Sequence, residues 1–124
     1  MNKKIVIFDD DQEILTALTS VLDFADWDLV TFSSGTDAIT LISKEHPDLI
    51  LMDVFLDGFD GRQICRSLKE NTSLQHIPVI LISGQESEET AQHTDFGPDD
   101  FLSKPFNIGD LIDKVYFQLA TKSV

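Results

Sequence analysis

Residues 47–61 read PDLILMDVFLDGFDG, and this stretch determines how the rest of the chain can be arranged. Its apolar run, residues 49–52, has no polar alternation, which is typical of a strand buried on both faces of a parallel sheet. Asp53 follows directly, and Gly58 and Gly61 bracket the turn after it. Ligands of open α/β sheets bind outside the carboxyl ends of the strands. The stretch therefore predicts a carboxylate in a binding crevice.

Length and composition limit the possible classes of protein. The chain has 124 residues, 42% of them hydrophobic, which suits one domain spanning residues 1–124 with its own core. The formal net charge of −13 excludes direct nucleic-acid binding, which needs a basic surface. The apolar run after the first four residues is too short for a signal peptide, and none is long enough to cross a membrane. We therefore expect a cytoplasmic protein without membrane contact.

Cys65 is the single cysteine, which excludes an internal disulfide.

Short apolar runs alternate with helical patterns along the whole chain. The runs predict five strands, at residues 5–8, 29–32, 49–52, 79–82 and 100–103. Helical spacing predicts helices over residues 12–24, around Ala38 to Ile42, from Arg62, and from Ile108 to Leu119 with Asn107 as cap; residues 85–95 form at most a short, weakly anchored helix. This alternation predicts an α/β fold of flavodoxin-like (βα)5 type. Its parallel sheet would have the order 2-1-3-4-5, with helices on both faces.

Polar side chains follow several of these strands at the same predicted edge of the sheet. The order 2-1-3-4-5 makes strands one and three neighbours, so Asp9 and Asp10 should meet Asp53. Three carboxylates in so acidic a chain repel one another, and Mg²⁺, which prefers oxygen ligands, would hold them together. Ser83 and Lys104 follow strands four and five. A carboxylate nucleophile, a metal ion, a hydroxyl and an ammonium together predict a phosphoryl-transfer site.

Four motifs in order carry a resemblance to a known family. They are FDDD (residues 8–11), LILMD (49–53), LISG (81–84) and DDFLSKPF (99–106). Together they resemble the receiver domain of bacterial two-component response regulators, over essentially the whole chain. The resemblance implies a signalling switch and not a metabolic enzyme, since the domain would catalyse only its own phosphorylation and dephosphorylation. The phosphoryl donor would be a histidine kinase or a histidine phosphotransfer protein.

The resemblance also implies individual roles at the metal and phosphoryl site. Asp53 would be the phosphoacceptor. Asp9 and Asp10 would bind Mg²⁺, with Asp53 and the backbone carbonyl of Phe55 as further ligands. Ser83 would reorient to hydrogen-bond the phosphoryl group, and Lys104 would pair with another of its oxygens.

Further roles lie on the last strand. The bond between Lys104 and Pro105 is expected to be cis, an isomer that proline permits. Phe101 stands at the place of the family's aromatic switch residue, although a Phe near a sheet edge can equally be ordinary packing. A downstream effector protein would bind the surface around Phe101.

The chain departs from the family pattern at a few positions. Asp57 stands where the family often has proline, and it is either a modifier of metal affinity or a solvated loop acid. Phe55 is bulky and apolar where many relatives have a polar residue, so we predict that it hinders the water that would hydrolyse the acyl phosphate. Pro98 ends an unusually polar segment from residue 85, which leaves the fourth helix in question.

Two other functions compete with the receiver interpretation. A haloacid-dehalogenase-like phosphatase also uses an Asp nucleophile, magnesium and a Lys, but Phe55 occupies the place of its general acid and no cap domain is present. A flavodoxin-like cofactor binder needs a phosphate-binding loop after the first strand, where this chain has three aspartates. These 124 residues contain no output domain, so we expect either a receiver that acts by docking or the receiver segment of a longer protein.

Overall fold

The structure of the chain is a computed structural model, and it describes residues 2–23, 25–84 and 97–121. The described strands are β1 (Lys4–Phe8), β2 (Asp28–Phe32), β3 (Leu49–Asp53), β4 (Phe55–Leu56), β5 (Phe59–Asp60), β6 (Val79–Ser83) and β7 (Asp100–Ser103). The described helices are α1 (Gln12–Leu22), α2 (Ala38–Glu45), α3 (Gly61–Lys69) and α4 (Ile108–Thr121). Residue 24, the predicted end of the first helix, and the weak helix predicted over residues 85–95 lie outside the described residues.

The five longer strands form one parallel sheet in the order β2-β1-β3-β6-β7. This is the order 2-1-3-4-5 predicted for strands counted along the chain, and the prediction is confirmed. Phe8 is paired with Met52 in the ladder between β1 and β3. The residues that follow, Asp9 and Asp53, therefore leave neighbouring strands at the same edge of the sheet.

Successive side chains of each central strand point to opposite faces of the sheet and enter two separate cores. Val6, Phe8, Ile50 and Met52 belong to the core that includes side chains of α2 and α3. Their neighbours Ile5, Ile7, Leu49 and Leu51 belong to the core that includes side chains of α1 and α4. Every residue of β3 is buried. The prediction of helices on both faces is confirmed.

A small hairpin, residues 55–60, follows β3. Its two strands, β4 and β5, pair antiparallel across the turn Asp57-Gly58, where Gly58 has a φ of 78°. Two-residue strands are too short to leave a periodic pattern, so the sequence indicated only a turn here. The chain leaves the hairpin at Gly61, where an added Cβ would lie 2.1 Å from the backbone oxygen of Asp53. Glycine is therefore required for the chain to return against the end of β3.

Candidate functional site

The strand ends bring together the three aspartates that the sequence predicted would meet. One carboxylate oxygen of each of Asp9, Asp10 and Asp53 lies within 4.8 Å of the others. Asp9 is fully buried and Asp53 is 4% exposed, whereas Asp10 is exposed at the rim. The cluster is thus open to solvent on the side of Asp10.

Lys104 lies between the two buried carboxylates. Its Nζ atom donates a hydrogen bond of 3.0 Å to Oδ2 of Asp53, and it lies 3.2 Å from Oδ2 of Asp9. This oxygen of Asp9 is buried, yet it accepts no hydrogen bond of good geometry from the described part of the chain. A buried carboxylate oxygen in this state is costly. The contacts of Lys104 therefore leave the negative charge of the pair only partly compensated.

The environment changes the proton affinity of both members of the Lys104–Asp53 pair. Burial, and after it the carboxylate of Asp9, raises the pKa of Asp53 from 3.8 to about 6, against the opposing effect of Lys104. Burial would lower the pKa of Lys104, but its hydrogen bond to Asp53 and the charges of both carboxylates raise that pKa above its ordinary value. Lys104 therefore remains an ammonium near neutral pH.

The acidic run after β1 places three identical side chains in three different roles. Oδ1 of Asp9 accepts a hydrogen bond of 2.9 Å from the backbone N–H of Asp11. Asp11 is the N-cap of α1, and its own Oδ1 accepts from the N–H of Glu13. This capping role of Asp11 was not predicted, although an aspartate directly before a helical pattern is the signal for it. Asp10 remains as the exposed member of the site.

Backbone N–H groups of the hairpin hold the other carboxylates. The N–H of Phe55 donates to Oδ1 of Asp53 at 3.2 Å, and the N–H of Asp57 donates to Oδ2 of Asp10 at 2.9 Å. The side chain of Phe55 is 52% exposed beside this site. The hairpin is therefore part of the site and not merely a connection to α3.

The residues predicted on β6 and β7 lie at the same edge. Ser83 is buried, and its backbone oxygen accepts a hydrogen bond of 2.7 Å from the N–H of Lys104. The Lys104–Pro105 peptide bond is cis, as expected. Phe101 is partly buried and packs against the core of the α2 and α3 side. An open groove of about 610 Å³ runs along β7 and includes Phe101, Phe106 and Lys114 in its lining.

The donor set fits a divalent cation that prefers oxygen ligands. Three carboxylate oxygens converge, and one of the contributing side chains is open to solvent. A buried oxygen of Asp9 accepts no hydrogen bond of good geometry from residues 2–23, 25–84 and 97–121. Mg²⁺ keeps several waters and needs only one or two protein carboxylates besides phosphate oxygens. The site therefore has the chemistry for Mg²⁺ next to a phosphoryl group.

Comparison with known proteins identifies the family. A family model described as the response regulator receiver domain matches residues 5–116. This chain belongs to the response regulator receiver domain family. Receiver domains act in two-component signalling and generally bind Mg²⁺, as the acidic cluster here would allow. The match decides against the phosphatase and cofactor-binding alternatives.

Receiver domains similar to this one occur in proteins of different organisation. The alkaline phosphatase synthesis transcriptional regulatory protein PhoP of Bacillus subtilis is 33% identical over 108 residues, 86% of this chain and 44% of PhoP. This chain thus spans less than half the length of that relative. A protein of Chloroflexus aurantiacus has a TM-score of 0.88 at 30% identity, with 97% of this chain and 99% of that chain covered. The signal receiver domain of a signal transduction histidine kinase from Syntrophus aciditrophicus has a TM-score of 0.87 at 29% identity, with 96% and 91% covered.

The sequence predicted no segment long enough to cross a membrane. Among the described residues, no helix combines the length and the apolar character that crossing a bilayer requires.

Proposed function

We propose that Asp53 accepts a phosphoryl group from a phosphohistidine of a histidine kinase or a histidine phosphotransfer protein. The observation that supports this most is the environment of Asp53, which is buried and shares the ammonium of Lys104 with the buried carboxylate of Asp9. An oxygen of Asp53 attacks the phosphorus atom, and the phosphorus–nitrogen bond of the phosphohistidine breaks. The bonding electron pair stays on the histidine nitrogen, and Asp53 becomes an acyl phosphate. The protein turns over no external metabolite in this scheme.

The other residues of the site stabilise charge during the transfer. Mg²⁺ would be held by Asp9, Asp10, Asp53 and the backbone carbonyl of Phe55, and when bound it neutralises charge on the phosphoryl oxygens. Lys104 pairs with another of those oxygens, and the buried hydroxyl of Ser83 donates to a third. Since the pKa of Asp53 is about 6 without metal, the nucleophilic carboxylate is the major form at pH 7.

The signal would leave the site through β7. Ser83 at the end of β6 is paired with Ser103 of β7. A movement of Ser83 toward the phosphoryl group would therefore shift β7 and, with it, Phe101. We propose that Phe101 then changes its packing and that a downstream effector protein in the cytoplasm binds the groove beside it. That residues 1–124 act as one receiver domain is part of this proposal.

Intact-protein mass spectrometry tests the proposed acceptor. Wild type, Asp53→Asn and the control Asp113→Asn are incubated with acetyl phosphate and Mg²⁺; Asp113 is exposed on α4. We expect one added phosphoryl group on wild type and on the control. We expect no added phosphoryl group on Asp53→Asn, and none on any of the three proteins when Mg²⁺ is left out. Equal modification of Asp53→Asn, or no modification of wild type, would contradict the proposal.

Phe55 sets the lifetime of the acyl phosphate in this proposal. Its backbone N–H donates a hydrogen bond to Asp53, and its exposed ring would shield the phosphoryl group from attacking water. We expect Phe55→Asn to lose the phosphoryl group several times faster than wild type after the donor is removed, as followed by intact mass. Phe59→Asn, in the same hairpin, is the matched control and should keep the wild-type rate. Equal rates for Phe55→Asn and wild type would remove this role.

A further inference from the structure

The exposed carboxylate of the site is held by a residue that the proposed function has not used. The backbone N–H of Asp57 donates a hydrogen bond of 2.9 Å to Oδ2 of Asp10, 47 positions away in the sequence. We propose that Asp57 is a positioning residue, whose backbone N–H orients Asp10 for the divalent cation. This inference rests on the proposed function, because it concerns the affinity of the same metal site.

Asp10 needs such a restraint because of its surroundings. It is exposed, so its side chain can rotate into solvent, and repulsion from Asp9 and Asp53 favours that rotation. Lys104 forms its ion pairs with those two aspartates, which leaves its charge directed at the buried part of the cluster. The hydrogen bond from Asp57 opposes the rotation and keeps an oxygen of Asp10 within 4.8 Å of the other two carboxylates.

The donor itself is held in a fixed place by the hairpin, residues 55–60. Leu56 is 2% exposed and pairs with Phe59 across the turn. The N–H of Gly61 donates a hydrogen bond of 2.7 Å to the backbone oxygen of Val54, which closes the base of the hairpin. The N–H of Asp57 is therefore preorganised, and Asp10 loses little further freedom when the metal binds. Partners of metal ligands act in this way in other metal sites.

The backbone donor can be removed without a change of charge between the two variants compared. Asp57→Ala removes the carboxylate and keeps the N–H, whereas Asp57→Pro removes both. Proline suits the position, because it is favoured directly before a residue of positive φ in a turn and because Leu56 already lies in a strand. A difference between the two variants therefore reports the N–H and not the carboxylate.

Mg²⁺ titration by isothermal calorimetry is the test. Loss of a residue that holds a metal ligand commonly weakens affinity by about 10-fold or more, and since Asp10 is exposed we expect Asp57→Pro to bind about fivefold more weakly than Asp57→Ala. If wild type binds Mg²⁺ and the two variants have equal affinity, or Asp57→Pro binds more tightly, the positioning role is overturned and the proposed function stands. Absence of Mg²⁺ binding by wild type would overturn both.

Hydrogen exchange tests the same bond without metal and without proline. In wild type we expect the amide of Asp57 to be protected, and in Asp10→Ala we expect that protection to be lost. The amide of Gly61, which bonds to Val54, should stay protected in both proteins and shows that the hairpin is intact. An Asp57 amide that exchanges equally fast in both proteins would overturn the inference, even if Asp57→Pro fails to fold.

Discussion

Strand β6 has a lysine–aspartate arrangement at each of its ends, and the two differ in how well their charges are matched. At the amino end, Nζ of Lys69 donates to Oδ2 of Asp99 at 2.8 Å and to the backbone oxygen of Ile77 at 2.9 Å. The same oxygen of Asp99 accepts from the N–H of Val79 at 2.8 Å. One ammonium and one carboxylate meet here, and backbone groups supply the remaining hydrogen bonds.

At the carboxyl end of β6, one lysine faces two buried carboxylates. Lys104 contacts Asp53 and Asp9, and an oxygen of Asp9 accepts no hydrogen bond of good geometry from the described residues. Burial, and after it the charge of Asp9, raises the pKa of Asp53 to about 6. The charges at the amino end are therefore matched and stabilise the fold, whereas the carboxyl end has one more negative charge than its lysine can neutralise. A bound divalent cation would supply the missing positive charge.

The largest expected effect is a stabilisation by Asp53→Asn. With its pKa raised from 3.8 to about 6, ionised Asp53 destabilises the metal-free fold by about 3 kcal/mol above pH 6, and the neutral amide avoids this cost. The folded state holds the proton more tightly than the unfolded state. Wild-type stability should therefore fall as pH rises from about 4 to about 6, while Asp53→Asn, with Asp9, Asp10 and Lys104 still present, should show less of this fall.

Urea unfolding in EDTA between pH 4 and pH 7.5 measures this difference. The two proteins should be close in stability near pH 4 and furthest apart above pH 6. A variant that is less stable than wild type at pH 7.5 would show that the carboxyl end of β6 is matched in charge after all.

The second effect has the opposite sign and lies at the amino end. Lys69→Met leaves the carboxylate of Asp99 and the backbone oxygen of Ile77 without their cation, so we expect a loss of about 2 kcal/mol in the free energy of unfolding. Lys44→Met removes the same charge from an exposed position on α2 and should change stability little. Equal losses in the two variants, measured by urea unfolding at pH 7.5, would attribute the effect to net charge instead of to the pair.

The smallest expected effect is that of Lys104→Met, and it distinguishes the two ends of β6 by whether Mg²⁺ restores the lost stability. Lys104→Met should lose about 1 kcal/mol in EDTA at pH 7.5, because an ion pair with partly exposed lysine is lost while Asp9 and Asp53 repel each other more strongly. Millimolar Mg²⁺ should restore most of this loss, since a bound cation stabilises the folded state by mass action. The loss in Lys69→Met should not be restored. Recovery of both variants, or of neither, would contradict the distinction.

Much of the fold could be read from local sequence patterns. The sequence predicted β3 from a continuous apolar run and α4 from apolar residues at helical spacing. The cap at Asn107 was also predicted, and its Oδ1 accepts from the N–H of Asp110 at 3.1 Å. The hairpin after β3 was not predicted, because its strands of two residues have no period and are held by contacts with the rest of the molecule.

The sequence by itself determined the order of the elements, the sheet topology and the chemical types of the site residues. Spacing and hydrophobic pattern are local properties, and the rules of strand connection leave few ways to assemble them. Only the tertiary structure decided how charge is shared at the strand ends. Asp9 and Asp53 are buried by elements from distant parts of the chain. Lys104 contacts both of them, and Asp57 bonds to Asp10, across similarly long sequence separations. Electrostatic energies depend on distance and solvent exposure in space, and sequence separation carries no information about either.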